Sequence, residues 1–436
     1  MSPRRHRIPA DLLALLAEGG GGPAAVGRLA AIDLSRRMLL VSGVVAVSRQ
    51  SGRATNDLAS QSYELLAAVQ QEAPRAVDAV LRHPAVGAWA WRTVLAASSG
   101  RPSPLADPAG LALVAGAAAI RARYSCDLPV PVTDGAVMFP SLGQALVPPQ
   151  ADDQLPRLCS RPDGAVVLAG GARLPIPANA HRDAAGWRGL RAISATADGA
   201  VIRLVIDDLD PHRMPLPTLR GRLGADEVGA WQAGLAGAWR LLVRHHAYVA
   251  AEISATIRVL TPLSPPAAGA QVSATSRETF GCVGVSTAAD PLELAATLAH
   301  EVQHAKLYQI VAAEQLTLPD PGRYYAPWRD DPRPLTGLLQ GVYAYLGVAG
   351  FWRTQRRVET GENELRAHAE FARWRAAIAM ATRTLLGSRR LTPAGQAFVS
   401  RMAQVADAWC AEPVPAAAEA RARDEAAGHA RRWHAD

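Results

Sequence analysis

The sequence predicts an α+β fold that is mainly helical, and three observations predict it. Apolar residues recur at spacings of three and four through most of the first hundred residues and again beyond residue 290. Between them lies a stretch rich in Val, Leu, Gly and Pro, broken by the turn signals Pro162-Asp163-Gly164 and Ala197-Asp198-Gly199. This is expected to be a small antiparallel sheet in the middle of the chain. In the C-terminal half, the run from Asp290 to about Leu316 is expected to be one helix carrying His300-Glu301-Val302-Gln303-His304.

Taken in order, Ala24 to Ser48, Gln61 to Leu81 and Ala85 to Ala97 are expected helices, and residues 1–100 an N-terminal helical region. Ser99 to Pro104 is a cluster of turn residues that marks its end. Residues 101–265 are expected to be mixed. A short helix from Ala109 to about Arg123 comes first, then β-type runs at Val130 to Val147 and Ala165 to Pro177. Leu190 to Thr196 and Ala200 to Ile206 flank an Asp-Gly turn and are expected to pair as a hairpin. Ala225 to about Ser254 returns to helix, with Trp231, Leu235, Trp239 and Leu242 along one face. His245 and His246 are neighbours there and point in different directions, which suits a polar edge better than a ligand pair.

Residues 266–411 are the expected metal-binding helical region. Ala255 to Leu263 and Thr279 to Ser286 are strand candidates. The second leads into the motif helix and is either a core strand or a place where an extended peptide adds to a sheet. After the helix comes a loop, Tyr324 to Pro334, in which prolines hold Arg329 and Arg333 near paired aspartates. Three helices follow: Leu335 to about Arg356, Glu364 to Leu386 and Pro393 to Trp409. The tail, 412–436, is Ala, Arg and Glu, expected to be a solvated helix or disorder.

Composition narrows the function classes. Apolar residues make up 49% of the 436 and charged residues 19%, which is a globular rather than a disordered balance. The net charge of +7 comes from arginine spread along the chain; Lys306 is the only lysine. No basic run is interleaved with aromatics, so no nucleic-acid partner is expected. No apolar run reaches membrane-spanning length, and the Arg-rich start lacks a cleavage signal, so no membrane association and a cytoplasmic location are expected. Cys126, Cys159, Cys282 and Cys410 form no CxxC pair, so neither a zinc knuckle nor a disulfide framework is indicated.

The motif carries the chemistry. Asp290 is placed to cap the helix, with Pro291 at its first position and Glu293 three residues on, as in a capping box. Histidines four apart project from one helical face, where both imidazoles can grip one ion. From Leu294 to Ala305 the helix is nearly all apolar and Glu301 is its only acid. A carboxylate buried beside two imidazoles costs several kcal/mol, on the order of an unpaired charge, unless a cation compensates it. A divalent metal is expected.

The pentapeptide, the stretch Tyr325 to Leu335 and Gly337-Leu338-Leu339-Gln340-Gly341 together resemble the HEXXH motif domain family, with similarity from about His6 through Gly19 to Pro23 and on to about Phe398. The resemblance implies a zincin-like HExxH helix and an α-ketoglutarate-dependent peptide β-hydroxylase acting on a ribosomally made precursor peptide, with Fe(II) and O₂. Another peptide-maturation enzyme would be a further partner. It makes His300 and His304 metal ligands. Some members carry His where this chain has Gln340. Glu370, on a later helix, is therefore the preferred third ligand and Gln340 the alternative, since two His and one carboxylate suit non-haem iron. Arg329 and Arg333 would hold the distal carboxylate of α-ketoglutarate. The same ligands would also make a zinc peptidase with Glu301 as general base. A third reading is a peptide-binding partner with a structural metal.

Overall fold

The N-terminal region is a helical layer in the computed structural model, which describes residues 6–435 apart from 52–54, 102, 104, 150–153, 217, 266–270 and 289. Its helices are α1 (Ala10–Ala17), α2 (Gly22–Ser51), α3 (Thr55–Glu72), α4 (Pro74–Leu81) and α5 (Pro84–Ser99). The single helix expected over Gln61 to Leu81 is two. Pro74 has no N–H to continue α3, and it instead occupies the first turn of α4. Pro102 and Pro104 of the expected break, and residue 266 at the expected start of the metal-binding region, lie outside the described residues. α6 (Leu111–Ala122) ends where Arg123 turns left-handed at φ 53°.

The middle of the chain forms several small sheets. β1 (Cys126–Pro129), β4 (Arg157–Arg161), β5 (Gly164–Ala169) and β6 (Ala172–Ile176) make an antiparallel sheet in that order. In it Pro162 and Asp163 form the turn that pairs Arg161 with Gly164. β2 (Ala136–Phe139), β3 (Gly143–Leu146) and β7 (Trp187–Gly189) make another. The expected hairpin is β8 (Arg191–Ala197) and β9 (Ala200–Ile206), with Asp198 and Gly199 both at positive φ, as a two-residue hairpin turn requires.

That hairpin belongs to a larger sheet that is mixed rather than antiparallel. α7 (Ala225–His245) and α8 (Ala247–Thr256) cross over between β9 and β10 (Val259–Pro262), and such a crossover returns the chain parallel. β11 (Ser273–Ala274) and β12 (Cys282–Val285) complete the order β11-β12-β10-β9-β8. β12 is buried along its whole length and paired on both sides, so the run Thr279 to Ser286 contains a core strand and offers no edge for peptide addition.

The C-terminal region begins with the motif helix, α9 (Pro291–Ala313). The expected loop after it is a ribbon, β13 (Tyr324–Ala326) and β14 (Arg329–Arg333), turning at Pro327 and Trp328. α10 (Leu335–Gln355), α11 (Glu362–Gly387), α12 (Pro393–Cys410) and α13 (Ala416–Ala435) follow. α13 is largely solvated but docks one face on α11, where Arg373 meets Glu425 and Arg375 meets Glu419. With 56% helix and 17% strand the protein is α+β and mainly helical.

Two large apolar clusters organise these elements. One is built from α2 to α6 with β1 to β7, including Val44, Leu111, Phe139 and Trp187. The other joins α1, the mixed sheet, α7 and α9 to α12, and holds α9 through Leu294, Leu298, Val302 and Ile310. Burial on this scale, at about 25 cal/mol per Å² of apolar surface, is what fixes the motif helix in place. No helix among the described residues is long and apolar enough to cross a membrane.

Candidate metal centre

The motif helix has the expected cap at Asp290 and Pro291 in its first turn, but Glu293 does not close the expected capping box. The Asp290 carboxylate accepts from the amides of Leu292 at 2.8 Å and Glu293 at 3.0 Å, satisfying two otherwise unpaired donors. The Glu293 carboxylate turns to Arg366 of α11, tying the start of α9 to a neighbouring helix.

The back of α9 is pinned by polar groups in an apolar setting. Lys306 Nζ donates to the carbonyls of Gly19 at 2.9 Å and Gly20 at 2.7 Å, and to Glu252 Oε2 at 2.9 Å. Glu252 Oε1 accepts from the Gly22 amide at 2.9 Å, and Gln303 donates to the Gly19 carbonyl at 2.9 Å. The four-glycine run therefore wraps around α9. Gly19, Gly21 and Gly22 take φ of 82°, 107° and 67°, which side-chain-bearing residues rarely adopt.

The front of α9 presents the imidazoles. His300 Nε2 and His304 Nε2 lie 3.1 Å apart. His304 Nδ1 is 3.3 Å from Gln340 Oε1 on α10, so with that nitrogen donating, Nε2 keeps its lone pair for the cavity. Burial, with His304 beside it, pushes the His300 imidazole down to about 4, so the ring is neutral at pH 7 as a metal ligand must be. Tyr345 packs edge-on against His300, and Trp328 stacks on Tyr345. Trp328 fits because Gly341 has no side chain; a Cβ there would stand 2.4 Å from its indole nitrogen.

Glu301 points to the other side of the pair, 1% exposed. Its Oε1 accepts from Ser273 Oγ at 2.6 Å and its Oε2 from Thr275 Oγ1, while Oε1 stands 4.0 Å from His300 Nε2. All these groups line one cavity of ≈ 290 Å³, and so do Arg329 and Arg333 from the ribbon. Arg329 Nε donates to Asp331 Oδ1 at 2.7 Å and Arg333 donates to Oδ2 at 3.0 Å. The arginines thus reach the cavity while holding the ribbon together.

Glu370 and Gln340 sit apart from the gap between the two Nε2 atoms. Glu370 Oε2 accepts from Trp374 Nε1 at 2.7 Å, in a neighbouring cavity whose wall also includes His300. Gln340 faces Nδ1 of His304, the nitrogen away from that gap. Among the described residues, His300 and His304 gather no third His, Cys, Asp or Glu ligand atom within 4.8 Å of both.

The donor set still suits an ion. Two ligands each about 2.1 Å from one metal stand roughly 3–3.5 Å apart, and the two imidazole Nε2 atoms at 3.1 Å meet that condition. Ser273 and Thr275, which hold Glu301, carry no sequence signal because they lie far from the motif, in and just after the two-residue strand β11. Lys306 was legible in principle, since a lone lysine in an apolar helix needs a buried acid.

The arrangement defines a candidate mononuclear metal centre on a helical α+β scaffold, with cationic side chains in the wall. Comparison with protein-family models finds no match, and comparison with curated proteins finds none.

Proposed function

We propose that the protein is a non-haem Fe(II)/α-ketoglutarate-dependent oxygenase that hydroxylates the β-carbon of a residue in a ribosomally synthesised precursor peptide. The observation that carries this reading is that Arg329 and Arg333 line the same cavity as the paired imidazoles. A dicarboxylate cosubstrate needs a fixed cation for its distal carboxylate, and a peptidase needs none. Fe(II) bound there supplies the oxidation, in which α-ketoglutarate and O₂ become succinate and CO₂ and one oxygen atom enters the peptide C–H bond.

The chain's own groups have defined tasks in this reading. His300 and His304 hold the metal, and Gln340 orients His304 through Nδ1. Glu370, in the neighbouring cavity that His300 also lines, is the proposed third ligand and would have to leave Trp374 and move toward the histidines to reach the metal. Arg329 and Arg333 exchange Asp331 for the cosubstrate carboxylate. Trp328 and Tyr345 exclude water from the reacting carbon. Glu301, fixed by Ser273 and Thr275, acts as an acceptor beside the metal rather than as a base. The precursor peptide would approach along β11, the end strand of its sheet, where extended chains can add. A companion maturation enzyme would act on the same peptide.

A zinc peptidase is the second reading, favoured by the 4.0 Å between Glu301 Oε1 and His300 Nε2, which places a base beside the metal position. Mass spectrometry of a precursor peptide decides between them. Hydroxylation adds one oxygen to an intact peptide and requires α-ketoglutarate; cleavage into two fragments with Zn(II) alone would overturn the hydroxylase reading.

A further inference from the structure

A second group of ligand-type side chains lies far from the motif helix in sequence, at the junction of the helical layer and the mixed sheet. His83 stands immediately before Pro84, which holds it extended at φ −66°, ψ 127° at the start of α5. Its carbonyl is gripped by Arg37 at 2.8 Å, so its backbone is fixed from two directions. Asp207 follows β9 and its amide donates to the Leu260 carbonyl at 2.9 Å. Its Oδ1 accepts from the amides of Leu209 at 3.3 Å and Asp210 at 2.9 Å. Asp210 Oδ1 accepts from the His212 amide at 2.8 Å. Each carboxylate therefore has one oxygen tied to the backbone.

The remaining donors converge. One ligand atom from each of His83, Asp207 and Asp210 lies within 4.8 Å of the others, and all three residues are buried. His83 Nε2 and Asp207 Oδ2 are 3.3 Å apart, yet among the described residues neither makes a hydrogen bond. In a plain His–Asp ion pair the N–H would aim at the carboxylate oxygen. Here the two atoms lie within reach of each other without that alignment. The neighbouring acid makes the contrast. Asp208 is matched by Arg191 and by Arg222, the latter at 2.9 Å. Among the described residues no arginine forms an ion pair with Asp207 or Asp210. Two buried carboxylates close together with no arginine ion pair are costly, and a coordinated dication would relieve that cost.

We infer that His83, Asp207 and Asp210 form a second metal site, taking a divalent transition-metal ion of the Zn(II) or Mn(II) class. One imidazole and two carboxylates are donors such ions accept, whereas Mg(II) prefers oxygen donors and keeps its waters. Asp210 also lines a cavity of ≈ 340 Å³, so one of the three residues borders open space. The ion would tie the start of α5, in one apolar cluster, to the end of β9, in the other, and so lock the two cores together.

The test uses the full chain carrying His300→Ala and His304→Ala, so that the motif centre contributes nothing and the two sites fail independently. After chelator treatment this protein is titrated with Zn(II), and separately with Mn(II) and Mg(II), while bound metal and Tm are measured. The expected result is one tight equivalent of Zn(II) or Mn(II), a Tm that rises with its concentration, and no such response to Mg(II). Asp210→Asn, or Asp207→Asn if that variant does not fold, should remove both the equivalent and the Tm rise. Absence of a tight equivalent in the parent overturns the site and leaves a metal-free ion pair. Retention of the equivalent in the folded Asn variant also overturns it, as adventitious binding elsewhere.

Discussion

Lys306 Nζ and Glu252 Oε2 meet at 2.9 Å with both side chains essentially inaccessible to solvent, 0% and 1% exposed. This pair joins the motif helix to α8 and, through the carbonyls and amide of Gly19, Gly20 and Gly22, to the N-terminal segment. Removing one partner strands the other as a buried charge. Lys306→Met should therefore destabilise the fold by about 3–5 kcal/mol. Lys306→Met combined with Glu252→Leu should recover much of the loss, because the stranded carboxylate is gone. Chemical unfolding of the two variants measures this, and equal losses in both would contradict the stranded-charge account.

Gln340 should matter to the metal without ligating it. Its Oε1 lies 3.3 Å from His304 Nδ1, so Gln340→Leu frees the imidazole to rotate and to change tautomer. Metal affinity should fall by about 10–100-fold. His300→Ala or His304→Ala should abolish stoichiometric binding while leaving the helical circular dichroism in place. Loss in the Gln340 variant as complete as in the histidine variants would make Gln340 itself a ligand.

Arg329 and Arg333 differ in setting, with side chains 55% and 33% exposed. The more enclosed Arg333 should bind the cosubstrate carboxylate more strongly. Arg333→Ala is expected to raise the α-ketoglutarate requirement at least about tenfold, since a charged hydrogen bond contributes about 1.5–3 kcal/mol, and Arg329→Ala somewhat less. Metal content should be unchanged in both. Steady-state titration with α-ketoglutarate reads the effect, and an unaltered requirement in both variants would remove the arginines from the cosubstrate site.

His246 supplies a pH dependence of stability. It sits between α7 and α8, stacked on Phe351 and 2.9 Å from Gln355 Oε1. Burial pulls its imidazole below the usual histidine range, with His245 adding to the effect and the Gln355 hydrogen bond opposing it. A lowered folded pKa means that the unfolded chain binds the proton more readily. The stability from neutral His246 is thus present above about pH 6.5 and is lost as pH falls through the folded value. Between pH 7.5 and pH 5, Tm should drop more in the wild type than in His246→Asn. Parallel profiles would assign the acid sensitivity to other groups.

Much of this architecture was legible in the residues. The periodicity of α2 and α5, the Asp198-Gly199 hairpin and the cap at Asp290 are local signals, and local signals survive folding. The break at Pro74 was legible too, but apolar periodicity on both sides masked it. The ribbon at Tyr324 to Arg333 was not, because Pro332 and four charged residues disguise a short solvent-facing strand. The mixed sheet was hidden for another reason: parallel pairing of β9 with β10 depends on a crossover, not on either strand's own pattern. In the site, the imidazole pair follows from helical spacing alone. Ser273 and Thr275 holding Glu301, and Lys306 holding the glycine run, are contacts between distant segments that no local pattern announces.

The central claim is that the cavity of His300 and His304 holds Fe(II) and α-ketoglutarate together. The most direct measurement is anaerobic reconstitution of the metal-free protein with Fe(II), followed by α-ketoglutarate, with the visible absorption spectrum recorded at each addition. A metal-to-ligand charge-transfer band should appear only after α-ketoglutarate is added, should be absent from His300→Ala and His304→Ala, and should need more α-ketoglutarate in Arg333→Ala. A protein that takes up Fe(II) yet shows no band at saturating α-ketoglutarate would contradict the account.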